Sequence, residues 1–187
     1  MPMTSPSWLL TALVLAGSLA HGGQAVEGQT ASAPELKAAY LLNFIRFTTW
    51  PEASLGSGDA FVACVSGDAF VATAIGELVR GRRVAGRDVT VRRLGRGNPV
   101  DGCHLLYWSA TDGKHAGDLL RQASARPILT VGESPDSEPG GIATFFVDQG
   151  RMRFAFNPAA AERAQLQISS KLLSLATIVK DAHAVAR

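Results

Sequence analysis

Apolar residues recur along this chain in three rhythms, and each rhythm predicts a different kind of element. Over 34–48 they fall at Leu36, Ala38, Ala39, Tyr40, Leu41, Leu42, Phe44, Ile45 and Phe47, with Pro34 at the start and Pro51 beyond the end. That is a helix apolar nearly all round, either buried on several sides as a core helix or paired with another chain. Short apolar runs at 61–65, 89–94, 105–109 and 128–131 predict strands. Ser66-Gly67-Asp68 leads into a helix to about Val79, and a second helix is expected over 112–124. Next comes a hairpin, with strands at 143–147 and 151–156 about a turn at Gln149-Gly150. Asn157 can then cap a helix that Pro158 opens, since proline at the first helical position has no N–H to lose. Apolar positions Ala161, Ala164, Ile168, Leu172, Leu175 and Val179 follow at spacings of three and four, which predicts one long helix.

Helices alternating with strands and ending in a hairpin imply a single-domain α/β sandwich. Its mixed sheet has about six strands, parallel first and antiparallel at one edge, with helices on both faces.

Ahead of this domain, 8–20 is an apolar run without a charge, the length of a signal-peptide core and too short to span a bilayer. The expected organisation is a signal peptide over 1–25, a flexible leader over 26–33 and the domain over 34–187. Cleavage after Ala20 and an uncleaved anchor are the alternatives. No cysteine lies directly after the run, over 21–33, so that stretch offers no lipid-attachment site. The formal net charge of +2 gives no argument for a nucleic-acid partner. Two cysteines, Cys64 and Cys103, form an even count that in an oxidising compartment suggests a disulfide. Two buried thiols on neighbouring strands are the other reading.

Candidate chemistry is thin. Seven arginines between Arg80 and Arg96, interrupted by glycines, read as an exposed turn and edge strand. They suit an acidic partner surface, an anionic headgroup or a small anionic ligand, with a solvated, charge-blunted edge as the competing account. Arg151 and Arg153 alternate onto one strand face beside Asn157, a candidate anion site. Strand, Gly67 and helix form the arrangement that can hold an anion, but Asp68 would repel phosphate, and turn chemistry is the better account. His104, His115 and His183 are scattered, no Gly-x-Ser-x-Gly elbow is present, and no cofactor or metal set is grouped. Ser170 and Lys171, adjacent on a helix, would point about 100° apart and could not act as a dyad.

Several ordered segments carry a resemblance. They are Lys-Ala-Ala-Tyr-Leu-Leu-Asn-Phe at 37–44, Trp50-Pro51, Cys-Val-Ser-Gly-Asp at 64–68, Gly86-Arg87 and Cys-His-Leu-Leu at 103–106. Pro-Ile-Leu-Thr-Val-Gly at 127–132, Gly140-Gly141, Arg153-Phe154 with Asn157, and Gln-Ile-Ser-Ser-Lys-Leu-Leu-Ser-Leu-Ala at 167–176 complete the set. Together, over about 34–179, they resemble the YfiR-like family of bacterial periplasmic proteins. The resemblance implies a non-catalytic inhibitor that binds the periplasmic region of an inner-membrane diguanylate cyclase. It also implies an outer-membrane OmpA-like lipoprotein able to remove the inhibitor, and so control of cyclic-di-GMP and biofilm output. The apolar first helix, through Leu36, Tyr40, Phe44 and Phe47, and the last helix are the expected partner surfaces, with a homodimer as a further assembly. A binding module for a small anionic or aromatic ligand, read by Arg151, Arg153 and Asn157, is the alternative, and an uncharacterised hydrolase is a third.

Overall fold

Alternation along β2 (Ala60–Ser66) decides which half of the core each residue joins. Phe61, Ala63 and Val65 point to one face of the sheet, and Val62 and Cys64 to the other. The same division continues in β5 (Leu105–Trp108), where Leu105 and Tyr107 oppose Leu106 and Trp108. On the first face lie α1 (Ala33–Arg46) and α2 (Ala69–Val79), packed against each other. On the second lies α3 (Lys114–Ala123), which buries Leu119 and Ala123. The sandwich with helices on both faces is therefore built as expected. The computed structural model describes residues 31–55, 60–84, 86–124, 126–134 and 141–180, which form one compact unit. The expected signal peptide and most of the expected leader lie outside the described residues.

The remaining strands are β1 (Thr48–Thr49), β3 (Arg83–Val84), β4 (Arg87–Leu94), β6 (Leu129–Glu133), β7 (Ala143–Asp148), β8 (Arg151–Phe156), β9 (Gln167–Ile168) and β10 (Thr177–Ile178). Eight of the ten strands among the described residues make one sheet in the order β10-β8-β7-β6-β5-β2-β4-β3, two more than the six expected, because β3 and β10 are two-residue additions at its edges. Strands β4, β2, β5, β6 and β7 run parallel, and β8 turns back on β7. The β7–β8 turn places both Gln149 and Gly150 at positive φ, as the tight primed hairpin turns require.

The long last helix is not formed. It ends as α4 (Pro158–Arg163), capped by Asn157 through Ala160 N–H. Gln165 then takes φ +58° and the chain turns. The next residues form β9, which pairs with β1 (Ile168 with Thr48), and a four-residue helix α5 (Ser170–Leu173) precedes β10. The three-and-four spacing was shared by several short pieces. Leu166, off the predicted stripe, is buried, while Leu175, on it, is 75% exposed. Ser174 Oγ donates to Lys171 O at 3.0 Å and closes the turn after α5.

The Pro-Ile-Leu-Thr-Val-Gly segment has a packing reason. A Cβ on Gly132 would lie 2.3 Å from Trp108 Cζ2, and one on Gly141 2.7 Å from Cη2, so the two glycines form a floor for that indole.

Candidate functional site

After β2 the chain leaves for the α2 face, and after β5 it leaves for the α3 face. The carboxyl ends of these neighbouring parallel strands therefore form a topological switch point, the usual place for a site in such sheets. Three groups of polar side chains gather there. Tyr107 on β5 donates its hydroxyl to Glu133 Oε1 on β6. Lys37 on α1 reaches the same Oε1 at 2.5 Å and Asp68 Oδ2 at 3.9 Å, with all three charged groups mostly buried. Ser66 Oγ donates to Asp112 Oδ1 at 3.0 Å, whose second oxygen accepts from Ser109 N–H at 3.1 Å. Burial, then the neighbouring Glu133 carboxylate, push the Tyr107 hydroxyl well above the usual phenol range. It stays protonated and serves as a donor.

The switch point is thus internally paired. Asp68 Oδ1 takes the Phe70 and Val71 N–H groups that begin α2, so this helix start is capped by its own carboxylate. Gly67 sits at φ +74°, and a Cβ there would lie 2.4 Å from Asp112 Oδ2. Turn chemistry and close packing account for it. The Ser66–Asp112 pair has no histidine bonded to it among the described residues. The arrangement anchors the first turns of α1 and α2 to the sheet.

The four residues expected at a partner surface, three in α1 and Phe47 at its C-cap, part company. Leu36 and Phe47 are 36% and 39% exposed. Tyr40 is half-buried, with its ring 5.4 Å from Phe154 and 5.9 Å from Phe145. Phe44 has no exposed surface. Its ring centroid lies 5.1 Å from Phe154, 5.1 Å from Phe156 and 5.5 Å from Phe145, so it is the pin between α1 and the hairpin and is withdrawn as a partner contact.

Arg151 and Arg153 are exposed on one side of β8. Asn157 does not join them. It is 3% exposed and its Oδ1 accepts from Ala160 N–H at 3.0 Å, so it is a helix cap rather than a ligand-binding group. Cys64 and Cys103 form a disulfide with Cα atoms 5.8 Å apart, tying β2 to the segment just before β5. His104 is structural. Its Nδ1 accepts from Val62 N–H at 3.0 Å, its ring lies 4.8 Å from that of Phe61, and burial depresses its pKa.

No motif marks Lys37, Tyr107 or Glu133 as site residues, whereas Asp112 sits in a helix-start setting where aspartate caps, and it accepts from Ser109 N–H there. The available signal was positional, because in an alternating α/β chain the residues just past the strand ends converge. Phe70 also escaped notice; it is 77% exposed on α2, where Arg93 Nη2 donates to Thr73 Oγ1 at 2.8 Å one turn away.

Among the described residues no helix is long and apolar enough to cross a membrane, and no group of acidic, histidine and cysteine side chains could hold a metal ion. No curated protein matches the chain. The family model described as YfiR/HmsC-like matches residues 34–177, from the start of α1 through the first residue of β10. The disulfide, the glycine floor under Trp108 and the α1–hairpin seat all lie within that span, and the chain belongs to the YfiR/HmsC-like family.

Proposed function

We propose that the protein is an exported, periplasmic regulator that binds the periplasmic sensor region of an inner-membrane diguanylate cyclase and holds it inactive. Its absence then raises cyclic-di-GMP and biofilm formation. The observation that carries this reading is the family match over nearly the whole domain. An outer-membrane OmpA-like lipoprotein competing for the regulator would release the cyclase, which needs only a difference in affinity between two partners.

Geometry favours a surface at the two ends of α1. Leu36 and Phe47 are partly exposed apolar side chains, while Ala38, Leu41, Phe44 and Ile45 seat the helix in the core. Aspartate at Leu36 or Phe47 therefore weakens binding without placing a charge in the interior. The test is titration of purified mature protein against the isolated periplasmic region of the membrane cyclase encoded in the same genome. Saturable binding, weakened in Leu36→Asp and Phe47→Asp chains of unchanged melting temperature, is expected. No binding to any such region would overturn the reading.

A further inference from the structure

Strand β4 is the last full-length strand on its side of the sheet. The short β3 pairs with it at Arg87 and Asp88 alone, so Val89 to Leu94 have β2 on one side and no strand on the other among the described residues. Beside this edge α2 and β4 enclose a groove of about 310 Å³, open to solvent, whose walls include Gly76, Val79, Val89 and Val91 together with Arg80, Arg82 and Asp88. Val89 and Val91 are half-buried, as is Gly76, and a Cβ on Gly76 would meet nothing within 4 Å. A glycine inside a helix is less stable than alanine, and here no neighbour demands it.

Charge narrows the choice of occupant. Residues 76–96 hold seven arginines against Glu77 and Asp88, a net +5 in a chain whose total is +2. Arg83 is paired with Asp88 at 3.2 Å. Arg92 Nη2 donates to the Asp101 carbonyl at 2.6 Å, and Arg93 is folded onto Thr73. Arg80 and Arg82 are exposed and have no carboxylate partner among the described residues. Charge that merely blunts an edge against aggregation explains the arginines but not the groove that Val79, Val89 and Val91 line beside them. A second copy of the chain would bring like charges together at this edge, which costs rather than gains free energy.

We infer that the open edge of β4 and the groove beside it receive an extended, acidic segment of a partner protein, added to the sheet as a further strand. Main-chain hydrogen bonds to β4 supply affinity, alternate apolar side chains enter the groove, and the intervening carboxylates meet Arg80 and Arg82. The inference does not rest on the cyclase reading, since any exported or membrane protein could carry such a segment.

A fluorescein-labelled acetyl-(Val-Glu)4-amide peptide is the probe, titrated by anisotropy into mature disulfide-bonded protein, with (Val-Lys)4 as control. Saturable binding of the glutamate peptide alone is expected, with hydrogen exchange slowed at the Val89–Leu94 amides. Arg80→Glu combined with Arg82→Glu, Gly76→Leu, and N-methylation of alternate peptide nitrogens should each weaken it by about tenfold or more. Gly76→Leu fills the groove from a position with free space, so its melting temperature should not fall. Absence of saturable binding, or equal binding of the N-methylated peptide, would overturn strand addition. A concentration-dependent dimer abolished by Gly76→Leu would place a second copy on the edge and overturn it equally.

Discussion

The seat of α1 on the hairpin and the α2–β4 edge are both apolar surfaces flanked by charge, yet they are finished in opposite ways. At the seat, Tyr40, Phe44, Phe145, Phe154 and Phe156 interlock with ring centroids 5.1–6.3 Å apart where they touch, and the nearby charges of Lys37 and Glu133 neutralise each other. At the edge, half-buried valines face an open groove and two arginines lack partners among the described residues. A closed region of this kind sets stability, and an open one can be altered with little loss of fold. Substitutions should therefore sort into those that move the unfolding midpoint and those that do not.

Phe44→Ala should separate the two regions most clearly, costing about 3–5 kcal/mol in urea unfolding because it leaves a cavity between α1 and the hairpin. Arg82→Ala at the open edge should cost less than about 0.5 kcal/mol. Similar losses from both would erase the distinction. Replacing Cys64 and Cys103 together with serine should cost about 4 kcal/mol in the chain-entropy account, read from paired melts after non-reducing peptide mapping has verified the bridge in the parent. Two free thiols in exported protein would contradict the structure directly.

Smaller effects test the switch point. Lys37→Met should destabilise by about 2 kcal/mol, because it leaves the Glu133 carboxylate desolvated beside Tyr107. Glu133→Gln in the same chain should recover part of that loss, and additive losses would show that the pair is not coupled.

His104 supplies a pH signature. Its folded pKa lies below the unfolded value of about 6.5, so the unfolded chain binds the proton first. This residue's contribution to stability is full above that pH and diminishes as pH falls through the unfolded pKa toward the lower folded one. His104→Asn, which keeps an acceptor for Val62 N–H, should flatten that part of the melting-temperature profile. The smallest change expected is a gain, with Gly76→Ala raising stability by up to about 1 kcal/mol.

How far the sequence was legible follows from what kind of order each region uses. The hairpin, the Asn157 cap and the Asp68 cap are local, and their residues announce them. Cys64 and Cys103 were the two cysteines available to each other. The interior of α1 was not legible, because a helix apolar on every side carries no polar stripe to say that Phe44 faces inward while Leu36 and Phe47 reach the surface. The last helix failed for a different reason. Gln165, not glycine, adopts the left-handed turn that breaks it, and the two-residue ladder between β1 and β9 leaves no periodic trace. The Lys37–Glu133–Tyr107 cluster depends on three elements brought together by topology, which residue patterns record only through the order of the strands.

The cyclase reading meets its most direct test in the cell. Cyclic-di-GMP should be measured in a strain lacking the gene and in the same strain complemented with the full-length chain. The account predicts a rise on deletion that complementation reverses. Unchanged cyclic-di-GMP in the deletion strain, under conditions where the parent makes the protein, would contradict it.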